Sequence, residues 1–204
     1  MRRRFALVVI ATFFASAVAS AAVDALHTYS IPGYGISVGL PSTWKSVNYR
    51  QILKPGVLQA LARDNPDLAG SFAAMAQPNS PIKFFAYDPQ VANGFATNVN
   101  LVVVPIRVRL SFSEYSRRLV SELRSVSSVS GLHSATVHLP AGQATRVSYR
   151  LNVTVQSRQI TVLTLQYAFF RGGRSVVFTY TTLPASSRFY NGVFATSAQS
   201  IRFS

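Results

Sequence analysis

The sequence predicts a single α+β domain, and two patterns support that prediction. Apolar residues alternate with polar residues through most of 142–182, which is the period-two pattern of strands that bury one face. Upstream, Ser111 and Glu114 form the capping box of a helix whose apolar residues recur on one side. With 204 residues, 49% of them hydrophobic and 13% charged, the chain can bury one sizeable core.

The N-terminus has the three regions of a secretory signal. Three arginines precede an apolar stretch over residues 5–18, and a triplet of small residues follows at 19–21. We therefore expect a signal peptide over residues 1–21 and one domain over residues 26–204. An uncleaved membrane anchor is the alternative, because residues 5–23 contain no charge.

The first predicted strand of the domain ends at a proline. Ile36, Val38 and Leu40 alternate before Pro41, which cannot donate a hydrogen bond to a neighbouring strand. The only tryptophan, Trp44, follows. We expect Trp44 to anchor the core, and a ligand-stacking role is the alternative.

Residues 55–77 predict a pair of short helices. The pair breaks at Asn65-Pro66, where the asparagine can cap the second helix and the proline can open it. Such a pair could cover a pocket beside Trp44 or close one edge of a sheet.

The middle of the chain predicts two strands joined by a loop. The strands cover residues 82–87 and 99–104, and the loop covers 88–94. Three consecutive valines close the second strand, which favours burial on both faces and a central place in the sheet.

The capped helix that follows has one apolar side. That side consists of Tyr115, Leu119, Leu123 and Val126. The helix should end within 127–131, and residues 132–139 then form a short strand or an extended link. After the last strand, Ser187 can cap a closing helix.

The strongest pattern is a meander of three strands over residues 142–182. Gly172-Gly173 suits a two-residue hairpin turn, because both residues can adopt a positive φ. That turn places three apolar pairs on one face: Phe169 with Val176, Tyr167 with Phe178, and Leu165 with Tyr180. The apolar residues of the first strand reach the same face only if the connection near Gln156-Ser157 has an odd length; they are Val147, Tyr149, Leu151 and Val153.

The sequence contains no recognisable catalytic or metal-binding pattern. It has no cysteine, which excludes disulfides and thiolate chemistry. No carboxylate pair is placed for glycosidase work, and no phosphate-binding glycine loop or nucleophile elbow is present. His133 and His138 are five residues apart on a predicted strand, so they should point to opposite faces and not share a metal. We therefore expect no cofactor and no enzymatic activity.

A net charge of +14 favours an anionic partner. The candidate binding residues are the arginines of the meander and its turns: Arg146, Arg150, Arg158, Arg171 and Arg174. Arg171 and Arg174 flank the glycine turn as like charges, which stability alone does not favour. The alternative is that these hairpin tips are simply solvated. The arginines are scattered, which argues against a nucleic-acid-binding arm.

The order of these elements resembles that of the PsbP-like superfamily. The likeness rests on an early strand ending in Gly39-Leu40-Pro41-Ser42-Thr43-Trp44, paired strands, a capped helix, a long meander and a closing helix ending in Ser200-Ile201-Arg202-Phe203. The superfamily includes the photosystem protein PsbP, a Ran-GTPase release factor and exported bacterial proteins of unknown role. The resemblance implies an α/β/α sandwich in which helices flank a central, mainly antiparallel sheet. Its named members bind proteins or assist assembly rather than catalyse.

We therefore expect an exported, non-catalytic module, secreted or in the cell envelope, that binds a protein or an anionic polymer or surface. Membrane contact would require an uncleaved signal or the surface charge. The alternative function is an unrecognised hydrolase or small-ligand-binding protein, with its pocket near Trp44 and the helix pair over 55–77. A histidine beside an acid in a pocket would favour the alternative, whereas arginines gathered on one surface would favour the binding module.

Overall fold

The computed structural model describes residues 25–48, 80–155 and 158–204, together with the isolated residues 56, 59 and 77. The predicted signal peptide and most of the predicted helix pair lie outside the described residues. None of the helices in the described ranges has the length and apolar character that crossing a membrane requires.

The described ranges contain two α-helices, one 3₁₀ turn and ten strands. The helices are α1 (Phe112–Ser125) and α2 (Ser187–Ser200), and the 3₁₀ turn covers Pro184–Ser186. The strands are β1 (Leu26–Ile31), β2 (Ile36–Pro41), β3 (Lys45–Asn48), β4 (Ile82–Ala92), β5 (Phe95–Pro105), β6 (Val129–Leu139), β7 (Gly142–Val155), β8 (Arg158–Arg171), β9 (Arg174–Thr182) and β10 (Arg202–Phe203).

These strands form two sheets in which neighbouring strands run antiparallel. The larger sheet has seven strands in the order β3-β4-β5-β9-β8-β7-β6, and the smaller has three in the order β1-β2-β10. Antiparallel sheets accompanied by helices make this an α+β fold, as the sequence predicts. β5 has a neighbour on each side, so its predicted internal place is also confirmed.

The β8–β9 hairpin has the predicted register. Gly172 and Gly173 form a two-residue turn with φ of 56° and 67°. The three expected pairs face each other across the hairpin: Phe169 with Val176, Tyr167 with Phe178, and Leu165 with Tyr180. All six residues are buried in one hydrophobic cluster, because the positive φ values keep the two strands in the register that shares one face.

The connection between β7 and β8 corrects one prediction. Val155 pairs with Arg158, so two residues, an even number, join the strands. Because side chains alternate along a strand, Val147 and Tyr149 then lie on the face opposite the core pairs of the hairpin. Both are buried on that opposite face. The condition for a shared face, a connection of odd length, is therefore not met for the apolar residues of β7, which are Val147, Tyr149, Leu151 and Val153.

The two α-helices pack on opposite faces of the larger sheet. Tyr115 of α1 packs in one cluster with Ala168 and Val177, and we call this side the α1 face. Phe194 of α2 contacts Tyr180 on the other side, with ring centroids 5.0 Å apart, and we call this side the α2 face. The side chains of the β8–β9 core pairs belong to the α2 face.

The smaller sheet contacts both α2 and the α2 face of the larger sheet. The amide of Gly39 in β2 donates to Ser200 Oγ at 2.6 Å, and a Cβ added at Gly39 would lie 2.9 Å from the same oxygen. Apolar residues of β1 and β2 join α2 and the α2 face in a single cluster; they are Ile31, Ile36, Val38 and Leu40. The main core thus lies between the two sheets, around α2.

Several strands and helices begin or end at residues other than those predicted. The predicted loop over 88–94 is mostly strand, because Asn93-Gly94 forms a tight turn at φ of 51° and 73° and extends the β4–β5 hairpin. α1 ends at Ser125, earlier than expected, since Val126 is already extended. β6 consequently starts at 129 rather than 132. The residue that precedes α2 is Ser186, which makes no side-chain cap hydrogen bond.

Candidate anion-binding surfaces

The turn between β8 and β9 gathers exposed arginines at one end of the larger sheet. Arg171 and Arg174 pair directly across the hairpin, and both are exposed. The amide of Ile106 donates to the carbonyl oxygen of the second turn glycine at 2.8 Å, so the segment after β5 runs beside the turn. Arg107 and Arg109 follow in that segment and are exposed as well. We call these four arginines the basic end.

Arg171 is positioned by an aromatic ring. Its Cζ atom lies 5.2 Å from the centroid of the Phe203 ring in β10, which is a cation–π contact. Phe203 in turn packs edge-on against Phe169, with centroids 5.2 Å apart. A hollow of about 170 Å³ adjoins these residues, and Tyr34, Arg171 and Arg174 are part of its lining. One guanidinium is therefore held in a defined place beside the hollow.

Two of the three carboxylate side chains in the described part of the chain have hydrogen-bond partners. Asp88 accepts hydrogen bonds from the Tyr190 hydroxyl at 2.7 Å and from a backbone amide at 2.8 Å. Glu114 closes the predicted capping box with Ser111, and the hydrogen bond from the Ser111 amide lowers the pKa of the Glu114 carboxyl. Glu122 lies in the second half of α1. Within the described ranges, no arginine of the basic end forms a salt bridge.

Arg146 and Arg150 lie away from the basic end, in a groove on the α2 face. They pair with Tyr167 and Leu163 of β8, which places them on the side of the sheet that α2 covers. The groove has a volume of about 320 Å³, and His133 lines it together with both arginines. Tyr167 and Leu163 are four and eight residues from Arg171 on β8, so at about 3.3 Å per residue the two arginines of the groove lie about 13 Å and about 26 Å along the strand from the basic end.

Arg158 belongs neither to the basic end nor to the groove. It is the first residue of β8, and Arg171 is the last. Because the strand has 14 residues, its ends are about 43 Å apart at about 3.3 Å per residue. The structure therefore does not bring Arg158 together with Arg171 and Arg174, although the sequence suggested all three as one set of candidates.

Trp44 lies in the core and is 4% exposed. Its ring meets that of Tyr190 with centroids 6.4 Å apart, and the hydroxyl of Tyr29 donates to its carbonyl oxygen at 3.0 Å. Trp44 lines neither the groove nor the hollow. The predicted pocket between Trp44 and the helix pair concerns residues outside the described ranges.

The two histidines of β6 do not share a site. His133 pairs with Ser148 and His138 with Gln143, and these partners alternate on β7, so the histidines face opposite sides. In the described part of the chain, no three His, Asp or Glu side chains are close enough to hold a metal ion.

Sequence analysis missed Arg107 and Arg109 at the basic end and His133 in the groove. Arg107 and Arg109 lie near the turn only because β5 pairs with β9, and these two strands are distant in the sequence. His133 joins Arg146 and Arg150 through the register of β6 on β7, which contains an irregularity between Ser130 and His133. The one local signal was Pro105, which ends β5 just before Arg107.

Comparison with known proteins finds similar structures. No protein-family model matches the sequence, and no curated protein matches it. Cyanobacterial PsbP (CyanoP) from Synechocystis is similar at a TM-score of 0.50 and 13% identity, over 91% of this chain and 96% of that chain. The Ran-binding protein Mog1p from Saccharomyces cerevisiae is similar at a TM-score of 0.53 and 8% identity, over 88% and 96%.

A third similar structure is LpqN of Mycobacterium tuberculosis, which is involved in cell envelope biogenesis. Its TM-score is 0.50 and its identity 7%, over 88% of this chain and 91% of that chain. The chain therefore has the PsbP-like fold, and the resemblance suggested by its sequence is confirmed. At these identities the likeness establishes the fold alone.

Proposed function

We propose that this chain is an exported, non-catalytic module that binds an anionic partner through its basic end. The observation that carries the proposal is the pair of exposed arginines across one hairpin turn, beside the segment that carries Arg107 and Arg109, with no salt bridge at any of the four within the described ranges. Like charges facing each other across a hairpin do not stabilise it. Guanidinium groups do bind carboxylate and phosphate oxygens through paired, charge-assisted hydrogen bonds.

An extended anionic surface fits the basic end better than a small molecule. The hollow beside Arg171 and Arg174 measures about 170 Å³, whereas pockets for small ligands begin at about 300 Å³. Exposed arginines that point from a turn can reach separate charges on one surface. A polymer of the cell envelope or an acidic membrane surface provides such repeated charges, and an acidic protein surface is the competing partner.

The roles of two proteins with this fold favour a binding function over a catalytic one. Mog1p is a Ran-binding protein, and LpqN is involved in cell envelope biogenesis. Neither role transfers to this chain at 8% and 7% identity. The finer architecture that we propose is the α/β/α sandwich implied by the resemblance, and it is supported by the packing of α1 and α2 on opposite faces.

Export is the second part of the proposal. We infer that residues 1–21 are a cleaved signal peptide and that residues 26–204 form one domain, because the N-terminus has the charged, apolar and small-residue regions of a signal. N-terminal sequencing of the protein recovered outside the cytoplasm should give a start near Ala22. An intact Met1 start in the membrane fraction would instead establish an anchor.

Co-sedimentation with vesicles containing anionic lipid, and with an anionic wall polymer, tests the binding proposal. Each arginine near an anionic surface contributes about 1 kcal/mol, so Arg171→Ser/Arg174→Ser should weaken binding about 30-fold. The matched control is Arg124→Ser/Arg188→Ser, which removes the same charge at the end of α1 and the start of α2. Equal binding by the Arg171/Arg174 variant and the wild type, or no binding by the wild type, contradicts the proposal.

A further inference from the structure

The groove on the α2 face is the larger of the two cavities described above. It lies where β6, β7 and β8 extend beside α2, and its volume is about 320 Å³. Its polar lining residues include His133, Arg146, Ser148, Arg150 and Asn191. That volume is at the lower end of the range of about 300–1,000 Å³ typical of small-molecule pockets.

The register of the sheet turns these polar groups toward one space. Arg146, Ser148 and Arg150 alternate along β7, so all three lie on the α2 face. His133 sits across from Ser148 on β6. The two arginine Cα atoms are about 13 Å apart at about 3.3 Å per residue, a gap that two long, converging side chains can close around one anion.

Nothing in the described chain neutralises this pair of arginines. Arg146 and Arg150 form no hydrogen bond or salt bridge there, and both are exposed. Asp88 is engaged by a hydrogen bond from the hydroxyl of Tyr190 in α2. Unpaired guanidinium groups on the wall of a groove provide donors that match the oxygens of a carboxylate or phosphate.

The apolar part of the groove distinguishes it from a site for an inorganic ion. Leu163, Leu165 and Phe194 also line it, and Leu165 and Phe194 are 9% and 2% exposed. These side chains already belong to a packed core, so they present a fixed apolar wall. Burying an apolar group against that wall is favourable by about 25 cal/mol per Å².

We propose that this groove binds a small organic anion, with its carboxylate or phosphate group between Arg146 and Arg150 and its apolar body against Leu163, Leu165 and Phe194. Ser148 and His133 lie beside the anionic group and offer further polar contacts. The site is distinct from the basic end, because Arg146 pairs with Tyr167, which lies about 13 Å from Arg171 along β8 at about 3.3 Å per residue. It therefore gives the chain a second, small-molecule binding activity.

Isothermal titration calorimetry with phenyl phosphate tests the site, because this probe combines a charged group with one ring. We expect Arg146→Gln/Arg150→Gln to weaken binding at least about 10-fold, since each guanidinium contributes charge-assisted hydrogen bonds. Arg171→Ser/Arg174→Ser should bind the probe as the wild type does. Benzoate should compete with phenyl phosphate, because the two share the anionic oxygens.

Two further probes separate the contributions of charge and apolar wall. Inorganic phosphate lacks the ring and benzyl alcohol lacks the charge, so each should bind at least about 10-fold more weakly than phenyl phosphate. The variant Ser148→Glu offers an independent check, because its carboxylate would occupy the arginines and exclude the probe without enlarging the groove. Thermal unfolding of each variant confirms that it is folded.

The proposal is overturned if phenyl phosphate does not bind the wild type, or binds the Arg146/Arg150 variant and Ser148→Glu as tightly. Equal affinity for inorganic phosphate and phenyl phosphate would overturn the role of the apolar wall and with it the ligand class. These outcomes are distinct from failure at the basic end, because that failure would appear in co-sedimentation while phenyl phosphate binding persisted.

Discussion

A hydrogen bond between Asp88 and Tyr190 joins two residues that are 102 apart in the sequence. The carboxyl group is 8% exposed, and it receives the Tyr190 hydroxyl at 2.7 Å. The Tyr190 ring stacks on Phe194 with centroids 5.9 Å apart and meets Trp44 edge-on. The sequence suggested only a loop at Asp88, because nothing local indicates that β4 and α2 will meet.

Replacing Tyr190 with phenylalanine tests that contact. The change keeps the ring packing but leaves one oxygen of a buried carboxylate without its donor, so it should cost about 1–3 kcal/mol of unfolding free energy. The control is Tyr34→Phe, whose hydroxyl makes no hydrogen bond within the described ranges. That control should stay within about 0.5 kcal/mol of the wild type. Urea denaturation measures the free energy of unfolding of both variants. Equal values for Tyr190→Phe and the wild type would show that the hydrogen bond to Asp88 does not stabilise the fold.

Alkaline pH should destabilise the protein through its buried tyrosines. Burial raises the pKa of Tyr149 to about 12, and burial together with the hydrogen bond to Asp88 raises the pKa of Tyr190 to about 12. The unfolded chain releases these protons near pH 10, about two units earlier, so stability is full below about pH 10 and falls toward about pH 12.

The expected loss is up to about 1.4 kcal/mol per pH unit for Tyr149 over that interval, and it is smaller for Tyr190, whose hydroxyl lies nearer to solvent and is screened by it. Urea denaturation at about pH 9 and about pH 11 measures it, with the absorbance of tyrosinate followed in parallel. Constant stability across the interval would show that these hydroxyls are exposed to solvent.

At the scale of elements, hairpins are predictable where a turn signal agrees with a one-sided pattern. The β8–β9 hairpin has both, since Gly172-Gly173 fixes the turn and the alternating residues share the α2 face. β7 has only the pattern, because it buries Val147 on one face while Arg146 is exposed on the other, and Gln156-Ser157 specifies no turn type. The register of β7 on β8 is therefore known only from the structure.

The buried face of the β8–β9 hairpin predicts a large effect of core truncation. Phe178 is 0% exposed, so Phe178→Ala should cost about 3–5 kcal/mol through lost burial and a cavity. The matched control is Phe189→Ala, because Phe189 is 56% exposed and should cost less than about 1 kcal/mol. Chemical denaturation measures both variants, and a similar small loss for the two would contradict the register.

At the scale of the whole molecule, the larger sheet separates two groups of arginines. The basic end surrounds the turn glycines, and Arg146 and Arg150 line the groove on the α2 face. The sequence identified Arg171 and Arg174 from their place at a turn. It could not divide the candidates between two sites, because that division depends on the parity of the β7–β8 connection and on β5 lying beside β9.

Binding of the basic end to anionic vesicles should depend on salt, because charge attracts the two surfaces. The wild type, Arg171→Ser/Arg174→Ser and the control Arg124→Ser/Arg188→Ser are compared at about 0.01 M and about 0.15 M ionic strength, where the Debye length falls from about 30 Å to about 8 Å. We predict tight binding by the wild type and the control at low salt, weakened at the higher salt, and weak binding by the Arg171/Arg174 variant at both. Equal affinities for the three proteins, or affinity independent of salt, would contradict the account.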